Sequence, residues 1–269
     1  MDRATSYGLS FAFLFAAVGC GGEGDYIETD EFLGQSEPII NGDIASQSLV
    51  DRQGALYIGA TGGFAFQCGA TYIGQNGSGD HWVLTAAHCV EATTADYLVA
   101  FGKAQRSEYT TADTVSVEQV IIHPSYVFGT VSQNDIALLR VSGQPNATVS
   151  DLATFSTDAP VDDTVSISGF GSTGFSSSDV LLSATTRVIS TAECQSFFGQ
   201  VDDSQICILD DIGTPQNACN GDSGGPMFRS NLVQVGLTSF GQQGCPTSVP
   251  SVYTRVSAFR SWIQSNSGI

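Results

Sequence analysis

Three segments of the sequence contain residue types that together hydrolyse amide bonds. His88 lies in TAAHC, Asp135 opens the run DIALLRV, and Ser223 stands among glycines in GDSGGP. A serine hydroxyl attacks a carbonyl carbon effectively only when a neighbouring base takes its proton, and an imidazole suits that task near neutral pH. A buried carboxylate then holds the imidazole in the required tautomer, while backbone N–H groups stabilise the developing oxyanion. The three segments therefore indicate nucleophilic acyl transfer.

The elements that must position these residues are predicted to be strands, so the expected fold class is all-β. From Ile39 onward, short β-branched and aromatic runs are separated by Gly, Ser, Asn and Asp clusters. Several runs, such as TVSVEQVII and TVSISGFG, alternate with period two, which is typical of antiparallel sheets. The Ser-, Gly- and Asp-rich stretch 142–163 predicts a junction between two halves of similar strand content.

One helix is predicted at the C-terminus. Phe259, Trp262 and Ile263 are spaced i, i+3 and i+4, so they form one apolar face. Ser257 is placed to cap the start of this helix.

The N-terminal segments carry targeting and processing signals. An apolar run from Leu9 to Gly19 follows Arg3, is too short to span a bilayer, and predicts a secretory signal peptide over residues 1–19. Residues 20–38 are Gly-rich and acidic with few core-forming residues, which predicts a pro-segment or linker. The expected localisation is therefore secreted.

Seven cysteines are present, and Cys20, at the end of the signal, is separate from six in the body. Six cysteines can pair completely, and no CxxC or His/Cys cluster indicates a metal, so we expect an oxidising compartment without metal or cofactor. The stretch from Ala17 to Cys20 resembles a bacterial lipobox. Cys20 is then either lipidated, which would anchor the protein at the cell surface, or an incidental cysteine of a plain signal peptide.

The charge of the chain limits its partners. The formal net charge is −18, and because seven acids and one base lie in residues 1–38, the remaining chain carries 20 acids and eight bases, near −12. Such a surface disfavours nucleic acid and anionic membranes, which require basic patches. We expect protein or peptide substrates, a monomer, and membrane contact only through a lipidated Cys20.

Taken together, the three chemical segments resemble the trypsin and chymotrypsin family of serine proteases. The resemblance runs from Ile39 to about Ile263 and includes IING, TSFG and PSVYTRV besides the order of the three segments. It implies two antiparallel Greek-key β-barrels packed side by side with a C-terminal α-helix. The implied halves are residues 39–150 for the first barrel and 151–269 for the second barrel and the helix.

The resemblance also implies a role for each catalytic residue. Ser223 is the expected nucleophile, His88 the general base and then acid, and Asp135 the orienting carboxylate. The backbone N–H groups of Gly221 and Ser223 are expected to form the oxyanion hole. The implied disulfides are Cys68–Cys89, Cys194–Cys207 and Cys219–Cys245.

The same resemblance identifies a substrate pocket. Ser239 is expected to support the catalytic carboxylate, and the strand through Phe240 and Gly241 is expected to pair with the substrate backbone. Asn217 stands at the pocket floor where trypsin-like enzymes carry Asp, and Ser251 replaces a glycine of the pocket wall. We expect uncharged, medium-sized P1 residues (P1 is the residue before the cleaved bond), with aromatic residues, Leu and Met as candidates, rather than Lys or Arg.

Activation is expected to follow cleavage before Ile39. The new α-amine of Ile39 would form a buried ion pair with Asp222, so the precursor is predicted to be a zymogen that an unidentified protease activates. Pro38 precedes the cleavage point, where family members commonly have Arg or Lys. A calcium loop of some relatives is expected to be absent, because Lys103 stands where a carboxylate ligand would be needed.

Parts of the sequence also fit two functions other than proteolysis. GDSGG also fits the GxSxG elbow of lipases and esterases, but in that fold the histidine follows the serine, and no histidine lies after His123. The other rival is a secreted, catalytically inactive protease homologue that acts as a binding module. An intact set of His88, Asp135 and Ser223 argues against it.

Overall fold

A computed structural model describes residues 39–92, 96–172, 177–210 and 215–269. The predicted signal peptide over residues 1–19, the pro-segment over residues 20–38 and the lipobox cysteine Cys20 lie outside these described residues. No helix within the described ranges is long and apolar enough to cross a membrane.

The first half of the chain forms a closed six-stranded antiparallel barrel. It follows a short strand β1 (Asp43–Ile44) and a single helical turn α1 (Gln47–Val50). Its strands are β2 (Gln53–Ala60), β3 (Gly63–Gln75), β4 (His81–Thr85), β5 (Tyr97–Phe101), β6 (Thr114–Ile122) and β7 (Ala137–Val141). They are ordered β2-β3-β4-β7-β6-β5, and β5 pairs with β2 to close the barrel.

The second half forms another six-stranded antiparallel ring with two short additional strands. The elements are β8 (Asp151–Leu152), β9 (Thr164–Gly169), β10 (Leu182–Ile189), α2 (Thr191–Phe198), β11 (Gln205–Leu209), β12 (Pro226–Arg229), β13 (Val233–Phe240), β14 (Ser251–Arg255) and α3 (Arg260–Ser267). The ring is ordered β9-β10-β11-β14-β13-β12, and β12 pairs with β9. The prediction of two antiparallel β-barrels with a C-terminal helix is confirmed.

The start of the described chain lies in the second half rather than the first. The prediction assigned residues 39–150 to the first barrel, but β1 pairs with β10, with Asp43 opposite Ser183. The side chain of Ile39 is fully buried in the hydrophobic core of the second barrel. Because this side chain is buried there, residues 39–44 pack against the second barrel, and the chain enters the first barrel only after them.

Both faces of β4 and β7 are buried, which explains why their sequences are apolar without alternation. Val83 and Leu139 point into the core of the first barrel. Their neighbours Leu84 and Leu138 belong to a second cluster that includes Ile263 of α3. Successive side chains of a strand point to opposite faces, so the C-terminal helix covers the outer face of these strands.

The C-terminal helix is present, but Ser257 does not cap it. A 3-10 turn over Val256–Phe259 precedes α3, and the residue at the N-cap position is Phe259 without a side-chain hydrogen bond. The Ser257 hydroxyl instead donates to Asp158 Oδ2 at 2.7 Å. The predicted cap is therefore wrong, because the Ser257 hydroxyl is hydrogen-bonded to a carboxylate from a distant loop and not to the N-terminal end of the helix.

The two halves meet closely at Gly69 of β3, and this contact makes a testable prediction. A Cβ atom on Gly69 would lie 2.7 Å from Gly225 Cα and 2.9 Å from Gly225 N, which is backbone that cannot rotate away. Gly69→Ala should therefore lower the free energy of unfolding by about 1–3 kcal/mol. Gly143→Ala is the matched control, because nothing lies within 4 Å of its Cβ position. Denaturant unfolding that gives equal changes for both variants would contradict the contact.

Candidate active site

Strand pairing brings His88 next to Asp135. Thr85, the last residue of β4, pairs with Ala137, the first residue of β7. His88 lies in the 3-10 turn Ala87–Cys89 that follows β4, and Asp135 lies just before β7. Because the two strands are antiparallel neighbours, the turn after one meets the segment before the other.

The Asp135 carboxylate is 1% exposed and makes three side-chain hydrogen bonds. Its Oδ2 accepts from His88 Nδ1 at 2.8 Å and from Ser239 Oγ at 2.6 Å. Its Oδ1 accepts from the backbone N–H of His88 at 3.0 Å. Charge-assisted bonds of this kind compensate for the cost of burying a carboxylate and fix its orientation.

Ser223 reaches the same place from the second barrel. Its carbonyl oxygen accepts from Gly69 N at 2.7 Å. Gly224, with φ of +72°, packs so closely that a Cβ atom would overlap Thr85 Oγ1 and lie 3.0 Å from Ala86 N. The glycine therefore allows the serine loop to dock against the end of β4, where His88 follows.

His88 and Ser223 line one cavity of about 240 Å³. Among the described residues no hydrogen bond joins the Ser223 hydroxyl to the imidazole. Catalytic hydrogen bonds are often long before substrate binds, so this geometry is compatible with a role for His88 as base. With Nδ1–H donated to Asp135, the neutral imidazole leaves Nε2 unprotonated. That nitrogen is then ready to accept a proton.

The backbone amides around Ser223 divide into two sets. The N–H groups of Asp222, Gly224 and Gly225 donate to backbone carbonyls at 2.8–3.0 Å. Those of Gly221 and Ser223 make no hydrogen bond within the described part of the chain. Among the amides of residues 221–225, the two that the family resemblance assigned to the oxyanion hole are those without an internal acceptor.

The predicted pocket residues line the same cavity. They are Asn217, Ser239, Phe240, Gly241 and Ser251. Ser251 Oγ lies 3.3 Å from the place where a Cβ atom on Gly241 would stand. The loop between β6 and β7 adds Phe128, which is 71% exposed and was not identified from the sequence.

The side-chain amide of Asn217 is fully occupied by protein groups. Its Nδ2 donates to the carbonyls of Pro246 and Val249, both at 3.1 Å. Its Oδ1 accepts from Ser251 Oγ at 2.6 Å and from Ala218 N at 3.0 Å. An amide has two N–H donors and two acceptor lone pairs, so none is left for a ligand at the pocket floor.

Asp222 is fully buried and has no cation beside it in the described structure. Burial raises the pKa of its carboxyl to about 7, although hydrogen bonds from the N–H groups of Cys219 and Gly171 oppose the shift. Ile39, still linked to the preceding chain, has φ of 46°, a conformation that β-branched residues rarely adopt. Its neighbour Ile40 pairs with Asn217 through a 2.8 Å N–H···O bond.

Three disulfides join the six body cysteines. They are Cys68–Cys89, Cys194–Cys207 and Cys219–Cys245, the pairs that the family resemblance implied. Among the described residues, His88 with Cys68 and Cys89 is a group with metal-ligand atom types in reach of one another. A disulfide sulfur is not a thiolate, so this group does not offer a metal the ligands it needs. The first bridge instead backs the imidazole, with Cys89 Sγ 3.8 Å from His88 Nε2.

Sequence reasoning missed one residue that holds the site together. The Thr254 hydroxyl donates to the backbone oxygen of Asp135 at 2.7 Å and is 2% exposed. Thr254 lies in the PSVYTRV segment, whose pattern indicates only a strand. No local signal connects it with a residue more than a hundred positions earlier.

Comparison with known proteins agrees with this geometry. A family model described as Trypsin matches residues 39–263. Brachyurin from Leptuca pugilator is 34% identical over 237 residues, covering 86% of this chain and 99% of its own. A chymotrypsin from Phaedon cochleariae is 30% identical over 237 residues, covering 85% of this chain and 82% of its own. Trypsin-1 from Astacus astacus is 31% identical over 222 residues, covering 76% of this chain and 90% of its own. The chain therefore belongs to the trypsin family of serine endopeptidases.

The buried Asp222 carboxyl predicts a pH dependence of stability in the unprocessed chain. Its folded pKa of about 7 lies above the unfolded value near 4, so between these pH values only the folded chain keeps the proton. Stability should fall as pH rises through this window, by roughly 4 kcal/mol in total. Denaturant unfolding of the full chain and of Asp222→Asn, both carrying Ser223→Ala to prevent self-cleavage, measures the difference. Parallel pH profiles for the two proteins would contradict this.

Proposed function

We propose that this chain cleaves peptide bonds through an acyl-enzyme on Ser223, with His88 as general base and acid and Asp135 as the orienting carboxylate. The observation that carries the proposal is the 2.8 Å bond between His88 Nδ1 and Asp135 Oδ2, next to a cavity that Ser223 also lines. The membership in a family of serine endopeptidases supports the same reaction.

In the proposed reaction, Ser223 Oγ attacks the scissile carbonyl carbon while His88 Nε2 takes its proton. The resulting imidazolium is stabilised by Asp135, and it then gives the proton to the leaving amine as the carbon–nitrogen bond breaks. Water attacks the acyl-enzyme in the same way and regenerates the Ser223 hydroxyl. Asp135 keeps Nδ1 protonated throughout, so Nε2 always faces the reacting atoms.

The amides of Gly221 and Ser223 are proposed to receive the oxyanion. Both N–H groups lack an acceptor within the described residues, so in the processed protein they are available as donors to a developing negative charge. The end of β13 at Phe240, followed by Gly241, is proposed to pair with the substrate backbone as an added strand.

The full chain is proposed to be a zymogen. Cleavage before Ile39 would create an α-amine close to its present buried position, and pairing with Asp222 would supply the cation that this carboxyl lacks. It would also release the left-handed backbone of Ile39, a conformation whose cost is on the order of 1–3 kcal/mol. The activating protease is not a trypsin-like one, because Pro38 precedes the bond.

The pocket is proposed to accept uncharged, medium-sized P1 residues. Asn217 carries no charge to pair with Lys or Arg, and its polar atoms are already bonded to protein. The Ser251 hydroxyl, where relatives usually have glycine, is proposed to reduce the depth available to the P1 side chain. The relatives include both a chymotrypsin and a trypsin by name, so their names favour neither preference, and the proposal rests on the residues of the pocket.

The signal-like N-terminus and the disulfide framework support secretion. Membership in a protease family supports protein or peptide substrates, and a monomer is proposed as the simplest state. Secretion is proposed in either of two forms: anchored at the cell surface through a lipidated Cys20, or free after removal of a plain signal peptide. A secreted but inactive binding homologue is the rival function.

Covalent labelling separates the active enzyme from an inactive homologue. A fluorophosphonate probe should label the processed wild-type protein and fail to label Ser223→Ala, because only an activated serine attacks phosphorus. Ser248→Ala, an exposed serine outside the cavity, is the control and should be labelled like wild type. A processed wild-type protein without label would favour the binding homologue.

The P1 preference has a separate test. Ser251→Gly removes the hydroxyl that is proposed to reduce the depth of the pocket, so the kcat/KM ratio for Phe over Ala at P1 should rise by about 10-fold. Ser248→Gly is the matched control and should leave the ratio unchanged. A peptide library that shows fast cleavage after Arg in the wild type would refute the proposed preference.

A further inference from the structure

The peptide unit that carries the Gly221 N–H is fixed at both ends. Its carbonyl oxygen, on Asn220, accepts a hydrogen bond from Ser172 N at 2.5 Å. In a planar trans peptide the C=O and the N–H point in opposite directions, so a bond that fixes the Asn220 carbonyl also fixes the direction of the Gly221 N–H. Beyond the amide, Gly221 has φ of +95°.

Gly221 is packed between backbone and an aromatic ring. A Cβ atom on Gly221 would lie 3.1 Å from Gly171 Cα and 3.3 Å from Cε1 of Phe66. The ring edge of Phe66 therefore closes one side of the glycine, and the backbone of Gly171 closes another. Without that ring, the φ of a glycine is free to change at small energetic cost.

Phe66 is itself held by three neighbours. Its ring makes edge contacts with Tyr57 at 5.9 Å and with Phe170 at 6.2 Å between centroids. The guanidinium carbon of Arg106 lies 4.3 Å from the ring centroid, which is within cation–π distance. These three contacts restrict the movement of the Phe66 ring.

Arg106 connects the ring to the segment that also carries Gly171. Its Nε donates to Ser178 O at 2.6 Å, and Ser178 N donates to Gly171 O at 2.9 Å. The contacts therefore form a closed loop from Arg106 through the backbone of Ser178 and Gly171 to Gly221, and back through Phe66. Neither Phe66 nor Arg106 lines the substrate cavity.

We propose that Phe66, held by Arg106, is a positioning residue that fixes the Gly221 amide toward the oxyanion. The inference rests on the proposed function, since it concerns the same oxyanion hole. Phe66 touches no reacting atom, so it acts through Gly221 alone. Its loss should weaken binding of the transition state and leave binding of the uncleaved peptide unchanged.

The test measures how two inhibitors with the same peptide sequence bind to the processed wild-type protein and to Phe66→Leu. A peptide aldehyde forms an oxyanion on Ser223, whereas the corresponding peptide amide forms none. We expect the inhibition constant of the aldehyde to rise by about 10-fold and kcat to fall by about 10-fold in Phe66→Leu. This change is smaller than the loss of kcat on removal of a whole oxyanion donor, because the Gly221 N–H is still present. KM and the inhibition constant of the amide should stay within about twofold.

Two further variants complete the experiment. Phe64→Leu, on the same strand and 47% exposed, is the matched control and should behave like wild type. Arg106→Gln leaves the ring in place and should raise the aldehyde constant by about threefold, which keeps the test open if Phe66→Leu does not fold. Equal changes for aldehyde and amide, or none, would overturn the inference. Failure of the proposed function is distinct, because wild type itself would then cleave no peptide.

Discussion

The buried carboxylate of Asp135 is the interaction on which the rest of the structure depends. A charge that is 1% exposed is tolerated only if its oxygens are bonded, and the bonds come from both halves of the molecule. The donors to the carboxylate are His88 of the first barrel and Ser239 on β13 of the second, and Thr254 on β14 donates to the backbone carbonyl of the same residue. Satisfying this one group therefore fixes the two barrels against each other and the imidazole between them.

The division of labour between the halves follows from this arrangement. The first barrel supplies the base and the carboxylate at neighbouring ends of β4 and β7, and the second supplies the serine loop and the pocket walls. The serine loop reaches the base only because glycines at both sides of the contact allow backbone to meet backbone. The same closeness makes the site sensitive to Asp222, whose buried carboxyl lies next to Ser223 in the chain.

Much of the fold and of the site could be predicted from the sequence. Period-two patterning indicated the strands, and the order of His88, Asp135 and Ser223 pointed to the family and thus to the two barrels. The doubly buried strands β4 and β7 were recognisable as apolar runs, but their burial on both faces depends on a helix more than a hundred residues later. An apolar run predicts that both faces of a strand are buried, but it does not predict which element packs against each face.

Contacts between distant polar groups could not be predicted. Ser257 looks like a helix cap in isolation, yet it bonds to Asp158, and Thr254 looks like an ordinary strand residue, yet it bonds to Asp135. Phe66 gave no signal either, because its importance lies in the glycine that it touches. In each case the partner is set by tertiary packing, which local residue preferences do not encode.

The most direct test of this account is the turnover number of Asp135→Asn in the processed protein, with Asp96→Asn as a surface control and thermal unfolding as a check of folding. If the carboxylate fixes the tautomer of His88, kcat should fall by about 10⁴-fold in a variant that remains folded, as an amide would hold the wrong tautomer. A folded Asp135→Asn protein with kcat within about tenfold of wild type would contradict the account.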